Sequence, residues 1–340
     1  MNTRNSRYLV YGTLGVAVVV VALGVANRLR SAASGEVEPP VDSSISESIS
    51  PGVPVAESGV RPDRNLGDEK PDHLSPLVAL VMDKEAEMQQ RLAAMRGMKK
   101  DELAMTSADV EVIYGLLLER DRMDDTQHGQ FLKNELMDVL CEISPPPEQL
   151  GQVLVEISRS PGQHEVVRDY ALQHMEPLYR QLAEDSSHDA ATRDAQLKPV
   201  RQALMHALGE TDSSLGGTAL LVLAKLAANY DEFDRGTLAV SAERIAKDQG
   251  AGELARITAI QVSAQMGITN TLPIVWEMAQ GGGTIPMQIS AIGSLGTLAG
   301  SEAKPLLQAI LDGSTEYLKP AARQALKQIE TQERAYAARR

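Results

Sequence analysis

Beyond residue 76 the apolar residues of this chain recur at three- and four-residue spacing, which gives a helix one buried face. Phe131, Leu132, Leu136, Val139 and Leu140 mark one such face, and Leu150, Val153, Leu154 and Ile157 another. The first stretch, Pro76-Leu-Val-Ala-Leu-Val-Met82, leads into Met88, Leu92 and Met95. Ser107 and Asp109 are candidate caps for a helix carrying Val112, Ile113, Leu116 and Leu117. Ser144-Pro-Pro-Pro147, Pro161-Gly162, Asp212-Ser-Ser214, Gly250-Ala-Gly252, Gly281-Gly-Gly283 and Asp312-Gly-Ser314 punctuate the helices. No stretch alternates as a strand does, so the expected fold is all-α.

Four segments repeat one pattern. They begin at Arg168, Arg256, Gln288 and Lys319, each three residues before an alanine: Ala171, Ala259, Ala291 and Ala322. An apolar residue follows seven positions after each alanine: Leu178, Met266, Leu298 and Ile329. The last three alanines are spaced by 32 and 31 residues, from 259 to 291 to 322. A period of that length predicts stacked helical hairpins, each too small to bury its apolar face alone. The small anchor lets two helices approach closely, and the residue two turns on enters the shared core. Prolines at Pro273 and Pro305 fall in the first turn of expected helices, where a missing N–H is harmless.

These residues resemble HEAT-type repeats. The resemblance rests on Val167-Arg168 and Ala255-Arg256 opening the second helix of a unit, on Ala-Leu or Ala-Ile at its middle, and on Leu295-Gly-Thr-Leu298 near its end. It is good over 250–330, partial at 164–180 and around Ala219-Leu-Leu-Val-Leu-Ala-Lys-Leu226, and weak before 160. The family often places an aspartate shortly before the arginine, pairing along the stack. That column is mostly absent here, and Gln288 and Lys319 replace the arginine. Hydrophobic stacking rather than a charge ladder is therefore expected to supply most cohesion. The resemblance implies an α-solenoid, a HEAT-like superhelix, over residues 76–332, with 333–340 as a C-terminal helix end.

The N-terminal part differs in kind. After a short segment, 1–7, residues Tyr8 to Ala26 are uncharged. As a helix this run would span about 28 Å, close to the roughly 30 Å core of a bilayer. A single transmembrane anchor over 8–27 is expected, with the lipid bilayer as its partner. A cleaved signal peptide, with Gly24 and Ala26 before the cut, is the competing reading. Arg28 and Arg30 follow the run at once, which favours retention. Both readings export the remainder, placing the solenoid outside the cytoplasm; an anchored protein facing the cytoplasm is the third. Residues 28–75 contain Pro39, Pro40, Pro51, Pro54, Pro62, Pro71 and Asp42-Ser-Ser-Ile-Ser-Glu-Ser-Ile-Ser50. Such a segment buries too little apolar surface to offset ordering entropy, and a disordered tether is expected.

Charge narrows the choice of partner. The chain carries −13 overall. Residues 1–30 contribute +4 and residues 31–75 contribute −6, leaving −11 for the repeats. An acidic body repels phosphate backbones, and one Trp, two Phe and eight Tyr give few stacking platforms. No nucleic-acid partner is expected.

Catalytic signals are weak. Cys141, the only cysteine, lies in an apolar helical stretch and reads as a buried structural thiol. The histidines (73, 128, 164, 174, 188 and 206) form no i, i+4 pair with an intervening glutamate, although His164 and His174 could share a helix face. Gly281-Gly-Gly-Thr284 lacks the Lys-Ser/Thr of a phosphate loop and reads as a turn. Asp124-Asp125 and Glu184-Asp185 read as solvated helix ends. Trp276 reads as a packing residue, with a groove contact as the alternative. No catalytic, cofactor-binding or metal-binding residue is therefore assigned, and no cofactor is expected. The leading function is a membrane-anchored, non-enzymatic scaffold that binds a protein or peptide partner along its repeat surface. Two alternatives remain: a HEAT-like lyase or enzyme-accessory protein with a small ligand, and a structural envelope protein.

Overall fold

The computed structural model describes residues 74–100, 105–119, 126–187 and 189–338. The expected anchor at 8–27, and all of the expected tether before residue 74, lie outside the described residues. Residues 73–340 form one compact unit. Among the described residues there is no strand, so the expected all-α class holds. No described helix is long and apolar enough to cross a membrane.

The helices come in pairs. The first three hairpins are α1 (Pro76–Met82) with α2 (Met88–Lys100), α3 (Ser107–Leu118) with α4 (Gln127–Glu142), and α5 (Leu150–Arg159) with α6 (Glu165–Glu184). Then follow α7 (Ala190–Ala207) with α8 (Leu215–Leu226), and α9 (Arg235–Lys247) with α10 (Glu253–Met266). The last two are α11 (Leu272–Ala279) with α12 (Ile285–Leu298), and α13 (Lys304–Asp312) with α14 (Lys319–Ala337). Short 3-10 turns lead into α11, α13 and α14.

Packing follows a simple order. Each even-numbered helix packs on the next, from α2 to α14 without a break. The odd-numbered helices pack on one another only from α1 to α7; after that, each rests mainly on its own partner. One apolar core runs the length of these layers, from Val78 to Ile329. The anchor alanines Ala171, Ala259, Ala291 and Ala322 are all fully buried in even-numbered helices. Leu178 and Ile329 are buried seven positions on, while Met266 and Leu298 are partly buried against the same core. Two glycines allow still closer contact. A methyl group at Gly217 of α8 would lie 2.9 Å from the Ala255 backbone of α10. One at Gly296 of α12 would lie 3.1 Å from Ala325 of α14.

The helix ends are closed by side chains. At α3 the cap is Thr106, not the expected Ser107: its hydroxyl accepts from Asp109 N at 3.1 Å, and Asp109 accepts in return from Thr106 N at 2.9 Å. This is a capping box, which needs the carboxylate three residues after the cap. Asp109 also accepts from Ser75 N at 2.9 Å, tying α3 to the start of α1. Burial pushes its carboxyl up, but these hydrogen bonds together outweigh it and hold the group below its ordinary range. Gly267 closes α10 with a φ of +70°, the left-handed geometry that glycine tolerates best.

Candidate functional site

The repeated polar position has a structural task. Arg168 Nε donates to the Ser158 carbonyl at 2.8 Å, and Arg256 Nε to Ala246 at 3.4 Å. Arg91 Nε does the same to Val81 at 2.6 Å, with buried Ala94 three residues on, although Asp101 stands where the four repeated segments have an apolar residue. In each case a cation from the second helix reaches the open carbonyls at the end of the first, ten residues back, where the helix dipole also favours positive charge. Lys133 serves the second hairpin from a different register. Fully buried, it donates to the Glu119 carbonyl at 2.6 Å, and Gln163 beside it donates to Leu118 at 2.8 Å. Where the arginine is replaced, the contact changes: Gln288 donates to the Gly283 carbonyl, and Lys319 pairs with Glu316.

A second set of contacts joins successive hairpins. Glu165, the first residue of α6, accepts from Ser214 N at 3.0 Å and from Ser214 Oγ at 2.8 Å, at the start of α8. Glu253, the first residue of α10, accepts from Thr284 Oγ1 at 2.5 Å, at the start of α12. The Gly252 N–H donates to the Thr211 carbonyl at 2.7 Å. The stack is therefore stitched along one edge by hydroxyl-to-carboxylate and backbone bonds, which supplement its apolar seam.

A half-buried polar site lies at the α6–α8 junction. Ser214 Oγ also lies within hydrogen-bond reach of Asp169 Oδ2, and Asp169 Oδ1 is buried without a hydrogen-bond partner. Arg168 Nη2 bonds Glu210 at 2.7 Å, and His206 lies 3.6 Å from the same carboxylate. Burial pushes the Asp169 carboxyl up to about 6, helped by the nearby Glu165; the Ser214 and Thr218 hydroxyls and Arg168 act in the opposite direction.

A third cluster fixes α6 to the α8–α9 turn. The Tyr179 ring meets Tyr230 and Phe233 edge-on, with centroids 5.4 and 5.3 Å away. Its hydroxyl donates to Glu232 at 2.6 Å and accepts from Arg201 at 3.2 Å. Burial first, then the Glu232 bond, raises this phenol to about 12.

The residues first considered for chemistry fall elsewhere. Cys141 is buried, and its thiol is pushed up to about 12, chiefly by burial and further by Asp138 and Glu142. His164 caps α6, accepting from Val166 N at 3.2 Å, whereas His174 lies inside α6 against Asn134 at 3.1 Å. His128 and His206 are exposed; His73, His188 and the pair Asp124-Asp125 lie outside the described residues. Among the described residues no three His, Cys, Asp or Glu side chains are grouped to hold a metal. Gly281–Gly283 form the turn before α12, with Thr284 as its cap. Trp276 is half-buried against the core.

An open cleft of about 370 Å³ lies near the C-terminal end. Ala279, Leu306, Ala309 and Ile310 give it apolar walls, and Gln280 and Tyr317 add polar groups. It offers van der Waals contact and neutral hydrogen bonding, with no charged side chain in its lining.

Comparison with known proteins adds little. No family model matches the chain, and no curated protein does. Among solved structures, human deoxyhypusine hydroxylase in complex with glycerol aligns over 75% of this chain and 95% of its own. The two are 17% identical, with a TM-score of 0.28, too low to bear on fold or activity.

Proposed function

We propose that this chain is a HEAT-like α-solenoid, held at a membrane by residues 8–27 and exported, which binds a protein or peptide partner and does not turn over a substrate. The observation that carries this reading is the unbroken packing of even-numbered helices from α2 to α14. Such a layer presents an extended surface, and repeat arrays use surfaces of that kind for binding. The polar groups support it too. Arg91, Lys133, Arg168, Arg256 and His164 are each committed to closing a helix, and the Cys141 thiol is buried.

The test is recovery of a partner from native membranes by the full chain. A control carries arginine at four exposed positions of even-numbered helices: Gln173, Gln265, Thr297 and Gln328. Specific recovery by the wild type and loss in the control is expected. Equal recovery, or none, would remove the platform reading. Protease added to intact cells checks the location independently, since an exported body is cleaved and a cytoplasmic one is not.

A further inference from the structure

We propose that Glu165, Ser214 and Asp169 form a proton-operated joint between the third and fourth hairpins, closed when the two carboxyls share one proton and loosened when both are ionised. Ser214 N–H donates to Glu165 Oε1. The Ser214 hydroxyl lies within hydrogen-bond reach of two carboxylate oxygens, Glu165 Oε1 at 2.8 Å and Asp169 Oδ2, but has one hydrogen to give. With both carboxylates ionised, one of these contacts sets oxygen lone pairs against each other. A proton on Asp169 resolves this: Asp169 donates to Ser214 Oγ, and Ser214 donates to Glu165. The hydroxyl is free for this task because it makes no cap bond to its own helix.

The site is peculiar to this junction. Aligning the arginines Arg168 and Arg256 places Glu165 on Glu253 and Asp169 on Ile257. Ile257 is buried and apolar, and Thr284 at that junction serves a single carboxylate. The next copies place Ile289 and Pro320 at this position. Asp169 thus puts a second carboxyl where the other copies put hydrocarbon or proline.

The surrounding charges do not remove the conflict. On α6 itself, Arg168 is bonded to Glu210 in the turn after α7, beside His206. From α8 and the residue before it come the hydroxyls of Thr218 and Ser214. The α5 contribution is the Ser158 carbonyl, held by Arg168. Glu135 of α4 acts with Asp169 on Tyr170, and adds negative charge. Asp212, in the α7–α8 turn, is exposed.

The sign follows from the raised carboxyl. Its folded value of about 6 lies above the ordinary 3.8, so the folded state holds this proton more tightly. The joint's contribution is complete below about pH 4 and is lost as pH rises through about 6.

The test uses the full chain at pH 4.5 and 7.5, with Asp169→Asn as a mimic of the protonated acid. The variant should raise the thermal midpoint at pH 7.5 and raise it less at pH 4.5. A midpoint lowered equally at both values, or unchanged at both, overturns the proposal. If the variant fails to fold, carbon NMR of carboxyl-labelled wild type decides. A carboxyl titrating near 6 and assigned to Asp169 supports the joint; titration of every aspartate and glutamate below 5 overturns it.

Discussion

Two glycines of one helix make opposite predictions. Gly293 and Gly296 both lie inside α12, three residues apart. Replacing an interior helical glycine by alanine stabilises by about 1 kcal/mol when nothing interferes. At Gly293 an added methyl meets nothing within 4 Å, so Gly293→Ala should gain about that amount. At Gly296 the methyl would stand 3.1 Å from the Cα, Cβ and carbonyl oxygen of Ala325. Two of those three atoms are backbone and cannot rotate away. Overpacking of this kind costs about 1–3 kcal/mol, and the rigid neighbour points to the upper half. Gly296→Ala should therefore lose about 1–2 kcal/mol net. The propensity gain is common to both variants, so their difference isolates the steric clash at about 2–3 kcal/mol. Urea denaturation followed by circular dichroism, with both variants in the full chain, measures that difference. Equal shifts, or a more stable Gly296→Ala, would mean that α12 does not face α14 in this register.

The caps give a ranking. Arg168→Met loses the bond to Ser158 and the ion pair with Glu210, and should cost about 1.5–3 kcal/mol. Arg256→Met loses one longer bond and should cost about 0.5–1 kcal/mol; the reverse order by urea denaturation would show that the cap geometry is misassigned. Cys141 should resist iodoacetamide at pH 8 in the folded protein and react fully in denaturant, because its buried thiol is held up to about 12. Alkylation at the rate of a free thiol would contradict its burial.

The helices were readable because their period is local. Leu132, Leu136 and Leu140 advertise a buried face within three turns, and all three are fully buried. The anchor alanines were legible for the same reason. The arginine before each of the Ala171 and Ala259 anchors was visible as a mark, but its role was not, because the carbonyl it serves belongs to another helix. Arg91 carried no such mark, because Asp101 stands seven residues after Ala94 where the repeated segments have an apolar residue. The expectation of cohesion from apolar stacking stands with an addition, the hydroxyl–carboxylate bonds Ser214–Glu165 and Thr284–Glu253.

By itself, the sequence determined where apolar side chains recur, where helices stop, and which small residues permit close approach. Those properties depend on neighbours within a few turns of chain. Tertiary structure decided the meetings of Ser214 with Asp169 and of Tyr179 with Phe233, across 45 and 54 residues respectively. Such meetings are set by the register in which one hairpin settles on the next. A shift of one helical position there would preserve the periodicity and exchange these polar partners for others.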